Sequence, residues 1–330
     1  MQNLNTTFIG IPISSPIVVG SCGLSSTVEG IEKLAKAGAG AIVLKSVFEE
    51  EILMEYEKNV LPNVGPMGND LEFFDYYDYQ IKTEVLNKYV QLIKEAREKV
   101  SVPLIASINC RSTSEWMAYA VKLEEAGISG LELNLFRLPF HTSQTSEQLE
   151  DEYITIINKI REKVRVPLAV KISPNFTNLV NFARRLSATG IQALVMFNRY
   201  FNIDFDIKNE QVISGGAYSN AAEYMLPLRW TSILSNRLEC EVVASTGIHT
   251  GEAAIKMLLA GARSVQVVSA IYKNGPTHIR AMLHDIDSWM KEKGYESIDD
   301  FRGNLSQTMA DNPEIFERVQ FMKYFSDHKA

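Results

Sequence analysis

The chain has 330 residues, of which 46% are hydrophobic, and a net charge of −7. That apolar content supplies a full core, and an acidic chain with dispersed lysines and arginines is a poor match for nucleic acid or an anionic membrane. Three distant cysteines, Cys22, Cys110 and Cys240, argue against a disulfide framework or a structural zinc. The histidines show no metal-like i, i+4 pair, so no metal is expected. No apolar run is long enough to span a bilayer and no leader pattern opens the chain, so the expected location is cytoplasmic.

Thr6 to Ile13 predicts a small hairpin that plugs a barrel floor. Pro16 to Gly23 reads as a strand with a glycine-rich exit, and Val28 to Ala37 as a helix capped by Gly38. A repeat follows. Ala37-Gly38 feeds a strand at Ala41 to Ser46, Ala126-Gly127 one at Gly130 to Asn134, Thr189-Gly190 one at Ala193 to Asn198, and Ala260-Gly261 one at Ser264 to Ser269. Between them, Val102-Pro103 opens a strand at Leu104 to Ile108, Val166-Pro167 one at Leu168 to Ile172, and Glu239-Cys240 one at Glu241 to Ser245. The two junction types alternate. With the first strand there are eight short, nearly all-apolar strands separated by helices, which predicts a parallel sheet buried on both faces and closed as a (β/α)8 barrel. Residues 1–330 read as one domain, with a core at about 16–292 and a helical tail at 293–330. Long connections fall after strands, at Phe48 to Lys82, Phe136 to Thr145 and Arg199 to Ser219, on the side where barrels build their sites. After Pro313 the tail predicts an amphipathic helix carrying Phe316, Phe321, Tyr324 and Phe325, to pack on its own barrel or on a dimer mate.

The stretch from Val242 to Ser269 carries the strongest local signal. Thr246-Gly247 makes a tight turn, Thr250 is the expected N-cap, Glu252 suits the helix dipole, and Gly261 is the left-handed cap. A glycine turn at a helix N-terminus beside a second strand end with a hydroxyl suits a phosphate. The other strand ends bring Ser21, Lys45, Ser46, Ser107, Asn109, Asn134, Lys171 and Asn198 to the same mouth. Each alone could satisfy loop backbone; together they suit a flat, polar, phosphorylated cofactor, because an interior lysine needs a partner.

These residues resemble the dihydroorotate dehydrogenases, FMN-dependent (β/α)8 barrels. The resemblance runs to about Gly303 and is carried by Ser15-Pro-Ile-Val-Val-Gly-Ser-Cys-Gly23, Lys45-Ser46, Lys171-Ile-Ser-Pro174, Ser214-Gly-Gly216 and the stretch from Val242 through Ala270. It implies Ser21 and Gly23 along the flavin, with Ser46, Ser107 and Asn109 in the same cofactor ring. It implies Lys45 at flavin and substrate, and Lys171 at the N1/C2 edge. Gly215, Gly216, Thr246, Gly247 and Ser269 would hold the phosphate, and Asn134 and Asn198 would read the amide edges of a pyrimidine. The implied reaction is dihydroorotate to orotate in pyrimidine biosynthesis, with a soluble electron acceptor and, as in many relatives, a homodimer.

The chain departs from the family at informative positions. Where members carry a cysteine or serine base, three residues beyond the strand-4 asparagine, Asn134-Leu-Phe-Arg-Leu-Pro139 places Arg137. Arginine is no base at neutral pH, though it suits a substrate carboxylate. His141, Thr142 and Cys110 are the replacement candidates, His141 first by pKa. Val64-Gly-Pro-Met-Gly68 stands where a substrate-side Asn-Ser-x-Gly-Leu run is usual, and Thr246 and Val268 replace common glycines. Two alternatives stay open: the same flavoprotein with another unsaturated or carboxylated substrate, and a flavin-free lyase or isomerase of a phosphorylated substrate with Lys45 or Lys171 as amine nucleophile. A non-catalytic binding role is the remaining one.

Overall fold

The structure, a computed structural model, describes residues 2–48, 71–110, 113–136, 142–200 and 202–317. Strands β1 (Thr6–Phe8) and β2 (Ile11–Ile13) form the antiparallel N-terminal hairpin. The barrel strands are β3 (Ile17–Val19), β4 (Ala41–Val43), β6 (Leu104–Asn109), β7 (Gly130–Leu135), β8 (Leu168–Ile172), β9 (Ala193–Met196), β12 (Glu241–Ser245) and β13 (Ser264–Val267). Each pairs in parallel with its neighbour, and β13 pairs with β3 through Val265 opposite Ile17, so the cylinder is closed. A short β5 (Val47–Phe48) lengthens the sheet beside the upper end of β6. The expected (β/α)8 barrel is therefore the observed one.

Side chains alternate across each strand with period two. Val18, Ala41, Val43, Ile105, Ala169, Ala193, Val195 and Val243 point inward and pack on Phe8, Ile9 and Ile13 of the hairpin. The hairpin thus closes the floor, as its sequence predicts. Ile9 and Gly10 both have positive φ, +51° and +75°, which turns the hairpin in two residues. Gly130 permits the close approach of Ile9, since a Cβ there would stand 2.2 Å from Ile9 Cδ1. The outward residues, such as Ile17, Ile42, Leu104, Leu131, Val170 and Leu194, form the layer beneath the helices.

The helices are α1 (Val28–Lys36), α2 (Leu71–Lys99), α3 (Thr113–Glu125), α4 (Ser146–Arg161), α5 (Leu179–Ala188), α6 (Met225–Leu234), α7 (Gly251–Ala260), α8 (Ser269–Asn274) and α9 (His278–Lys293). Thr27 caps α1 on Gly30, Thr145 makes a capping box with Gln148 on α4, and Thr250 caps α7 on Ala253. Gly261 closes α7 with φ +109°. Two connections differ from expectation. The helix α2 begins at Leu71, so the aromatic run Phe73 to Tyr77 is helical and not part of a loop. The connection after β9 folds into an antiparallel hairpin of β10 (Ile203–Asp206) and β11 (Gln211–Ser214), with Ile203, Phe205 and Val212 exposed. In the tail, Ile298–Asp300 and Pro313–Phe316 are single 3-10 turns; Phe321, Tyr324 and Phe325 lie outside the described residues. Among the described residues no helix is long and apolar enough to cross a membrane.

Candidate active site

The carboxyl ends of the strands hold the polar residues. A hydroxyl chain links the first three. Ser46 N donates to Ser21 Oγ at 2.8 Å, the Ser21 and Ser46 hydroxyls are 2.9 Å apart, and those of Ser46 and Ser107 are 2.6 Å apart. Tyr89 of α2 reaches the same place, accepting from Ser107 N at 3.5 Å, and burial raises its phenol well above the ordinary value. Asn109 is buried at the end of β6. Lys45, expected in the interior, is exposed at the rim, because it stands beyond the last paired residue of β4. Gly23 leaves room for the Tyr272 hydroxyl, which lies 2.9 Å from where a Cβ would be.

Across the mouth, Asn198 Nδ2 donates to Asn134 Oδ1 at 2.5 Å, so the two asparagines predicted to act together are in contact. Lys171 Nζ donates to Gln266 Oε1 at 2.8 Å, and Gln266 Nε2 donates to Glu132 Oε2 at 2.5 Å. Glu132 and Gln266 were not picked out by the sequence. Both sit on strands at inward positions, one layer below the mouth. Burial pushes the Cys22 thiol up, against the weaker opposing pull of Lys171. Cys22 and Cys110 are both buried, which suits small packing residues better than nucleophiles.

A cavity of about 160 Å³ opens between β9, β12 and β13, lined among others by Lys171, Phe197, Arg199, Thr246, Gly247 and Ser269. Thr246 and Gly247 are consecutive left-handed residues, with φ +81° and +75°. Threonine is a poor residue for this conformation; its hydroxyl donates to Phe197 O at 2.9 Å and ties the ends of β9 and β12 together. Gly247 admits no side chain, since a Cβ would meet Tyr224 N at 2.1 Å. This tight turn leads toward the N-terminus of α7, and a glycine turn before a helix N-terminus is a setting that suits an anion.

The outer wall of this cavity comes from residues distant in sequence, and sequence reasoning missed them. Ser219 N donates to Ser269 Oγ at 3.0 Å, Ser219 Oγ lies 2.9 Å from His249 Nε2, and Lys273 Nζ donates to Ser219 O at 2.8 Å. Arg199 Nε donates to Glu223 Oε2 at 2.8 Å and its Nη1 to Gly216 O at 3.0 Å. Burial, and then the charge of Lys273, holds His249 below its ordinary value. Gly215 and Gly216 lie on the exposed turn after β11, outside the cavity wall; Gly216 reaches it through Arg199, while Gly215 N donates to Asn202 O at 2.7 Å. The arrangement suits a ligand with a phosphate in the cavity and a polar ring over Lys171, Asn134 and Asn198. Among the described residues no cluster of histidine, cysteine, aspartate or glutamate could hold a metal.

Arg137 and His141 lie outside the described residues, as does Val64 to Gly68. Thr142 is exposed in the turn before α4.

The family model for dihydroorotate dehydrogenase matches residues 3–290. A dihydroorotate dehydrogenase A (fumarate) from Lactococcus lactis subsp. cremoris is 30% identical, over 92% of this chain and 99% of its own length. The catalytic subunit of a dihydroorotate dehydrogenase B (NAD(+)) from Thermoplasma volcanium is 26% identical, over 92% of this chain and 98% of its own length. The corresponding catalytic subunit from Methanocaldococcus jannaschii is 24% identical, over 88% and 94%.

Proposed function

Because the chain belongs to the dihydroorotate dehydrogenase family, we propose that it binds FMN at the mouth of its barrel and oxidises dihydroorotate to orotate, passing electrons to a soluble acceptor. The observation that carries this reading is the buried Lys171, set in the wall of a cavity whose far end is the Thr246-Gly247 turn. One cation for a ring and one glycine turn before a helix N-terminus for a phosphate are what FMN needs.

When bound, FMN would accept a hydride from C6 of the substrate while a loop group takes the C5 proton. Thr246, Gly247 and Ser269 would hold the phosphate together with Gly215 and Gly216, of which Gly216 is tied to the cavity wall by Arg199. Ser21, Gly23, Ser46, Ser107 and Asn109 would line the ring, and Lys171 would stand at its N1/C2 edge. Asn134 and Asn198 would orient the substrate amides; their mutual hydrogen bond fixes which amide end each presents. Lys45 at the rim would meet substrate and ring together, and Arg137 would clamp the carboxylate. His141 is then the first candidate for the base. The exposed apolar hairpin of β10 and β11 supports a homodimer in solution.

A second reading keeps the FMN site and changes the substrate, because arginine replaces the family's base at position 137. A visible spectrum of the purified protein followed by anaerobic dihydroorotate tests both. A yellow protein that bleaches supports the first reading. One that stays yellow, yet bleaches with another reductant, supports the second. A colourless protein that takes up no added FMN removes both.

A further inference from the structure

A carboxylate buried inside an apolar barrel needs a reason. Glu132 is 0% exposed, and its Oε1 has no hydrogen-bond partner among the described residues. A buried charge with an unsatisfied oxygen is costly, so Glu132 is not explained by packing.

Its contact with Gln266 is directional. A carboxylate only accepts hydrogen bonds, so the Gln266 amide must turn its NH2 toward Glu132. That leaves the Gln266 carbonyl facing Lys171 Nζ. The flipped amide would set NH2 against ammonium and carbonyl against carboxylate, exchanging two attractive contacts for two repulsive ones. The strut crosses the barrel interior, from β13 to β7 and β8, which are not neighbours in the sheet. Gly20 leaves space for it, since a Cβ there would come within 3.3 Å of Gln266 Oε1 and 3.0 Å of Val268 Cγ2. Lys171 and Gln266 both line the cavity, with Glu132 beneath them.

We propose that Glu132 is a positioning residue: by fixing the direction of the Gln266 amide it holds the Lys171 ammonium in the cavity wall, and so sets the preference of the site for reduced over oxidised FMN. This rests on the FMN reading above. A cation fixed at the ring favours the anionic reduced form over the neutral oxidised one, and a lysine free to rotate away favours it less.

The test is the midpoint potential of FMN in the holoenzyme. Glu132→Leu should weaken the preference for reduced FMN about tenfold, a potential about 30 mV more negative for a two-electron couple. Gln266→Leu should give the same shift, and the double variant no further one. Glu132→Gln, which still offers a carbonyl to Gln266 Nε2, should stay near the wild type. An unchanged potential with a lowered melting temperature would make Glu132 merely structural. A more positive potential would make it a bare negative charge acting on the ring. Either overturns the proposal, and if Glu132→Leu does not fold, an unchanged potential in Gln266→Leu does so alone. A wild type that binds no FMN overturns this proposal and the FMN reading together, which is a different result from a flavoprotein whose variants keep its potential.

Discussion

The two ends of the barrel are made by the same strands and do opposite things. At the floor, inward positions are Val18, Ala41, Val43, Ile105, Ala169 and Val195, sealed by Phe8, Ile9 and Ile13. One or two steps further along, the inward positions become Ser107, Glu132, Asn134, Lys171 and Gln266, all buried. Burial is equal at the two ends, but its meaning is not. At the floor each buried group adds to stability through apolar area and close packing. At the mouth buried polar groups fix one another's direction, as Ser21 does for Ser46 and Glu132 for Gln266. Stability is stored at one end and orientation at the other.

That contrast can be broken by substitution. Phe8→Ala at the floor should cost about 3–5 kcal/mol and leave the FMN dissociation constant unchanged; chemical denaturation and flavin titration measure the two separately. An equal loss of FMN affinity would show that the ends are not independent. Lys171→Met at the mouth should do the reverse. Removing one electrostatic contact of this kind costs about 10²–10³ in rate, read as the anaerobic rate of flavin reduction, while the denaturation midpoint moves little. Unchanged reduction kinetics would remove Lys171 from the chemistry. The smallest effect concerns pH. His249 is held below its ordinary value in the fold, so as pH falls through about 6.5, the value for a free histidine, the unfolded chain takes a proton that the folded chain resists. Stability should therefore decline with acid, and the decline should end below the folded value. His249→Gln should flatten that part of the profile in a series of melts, whereas substitutions in the wholly apolar floor should leave it in place.

The architecture was legible because each barrel strand has its own start signal. A small residue with glycine, or a valine with proline, precedes most of them, and the observed strands begin within a few residues of those signals. The inner ring was legible where a polar residue stands near the end of an apolar run, as at Asn134, Lys171 and Ser269. It was not legible for Glu132 and Gln266. Their apolar runs continue in the sequence to Asn134 and to Ser269, so neither stands at an apparent strand end, and nothing local tells whether such a residue faces the lumen or the solvent. Ser219, His249 and Lys273 escaped for another reason: their contacts span separate loops, which no periodicity records. The aromatic run from Phe73 misled because tyrosine and phenylalanine are common in both loops and helices. Lys45 was placed too deep because its strand ends at Val43, one residue before the apolar pattern does.

The closing pair of the cylinder has a consequence for biosynthesis. Val265 of β13 lies opposite Ile17 of β3, so the first barrel strand in chain order waits for the eighth. At about 5–20 residues per second that interval is roughly 12–50 s, during which one edge of β3 has no partner. An open strand edge is a template for other chains, so the growing polypeptide is at its most vulnerable before β13 is made. Slower synthesis between β3 and β13 would lengthen the exposure, and a chain truncated before Ser264 could not end it.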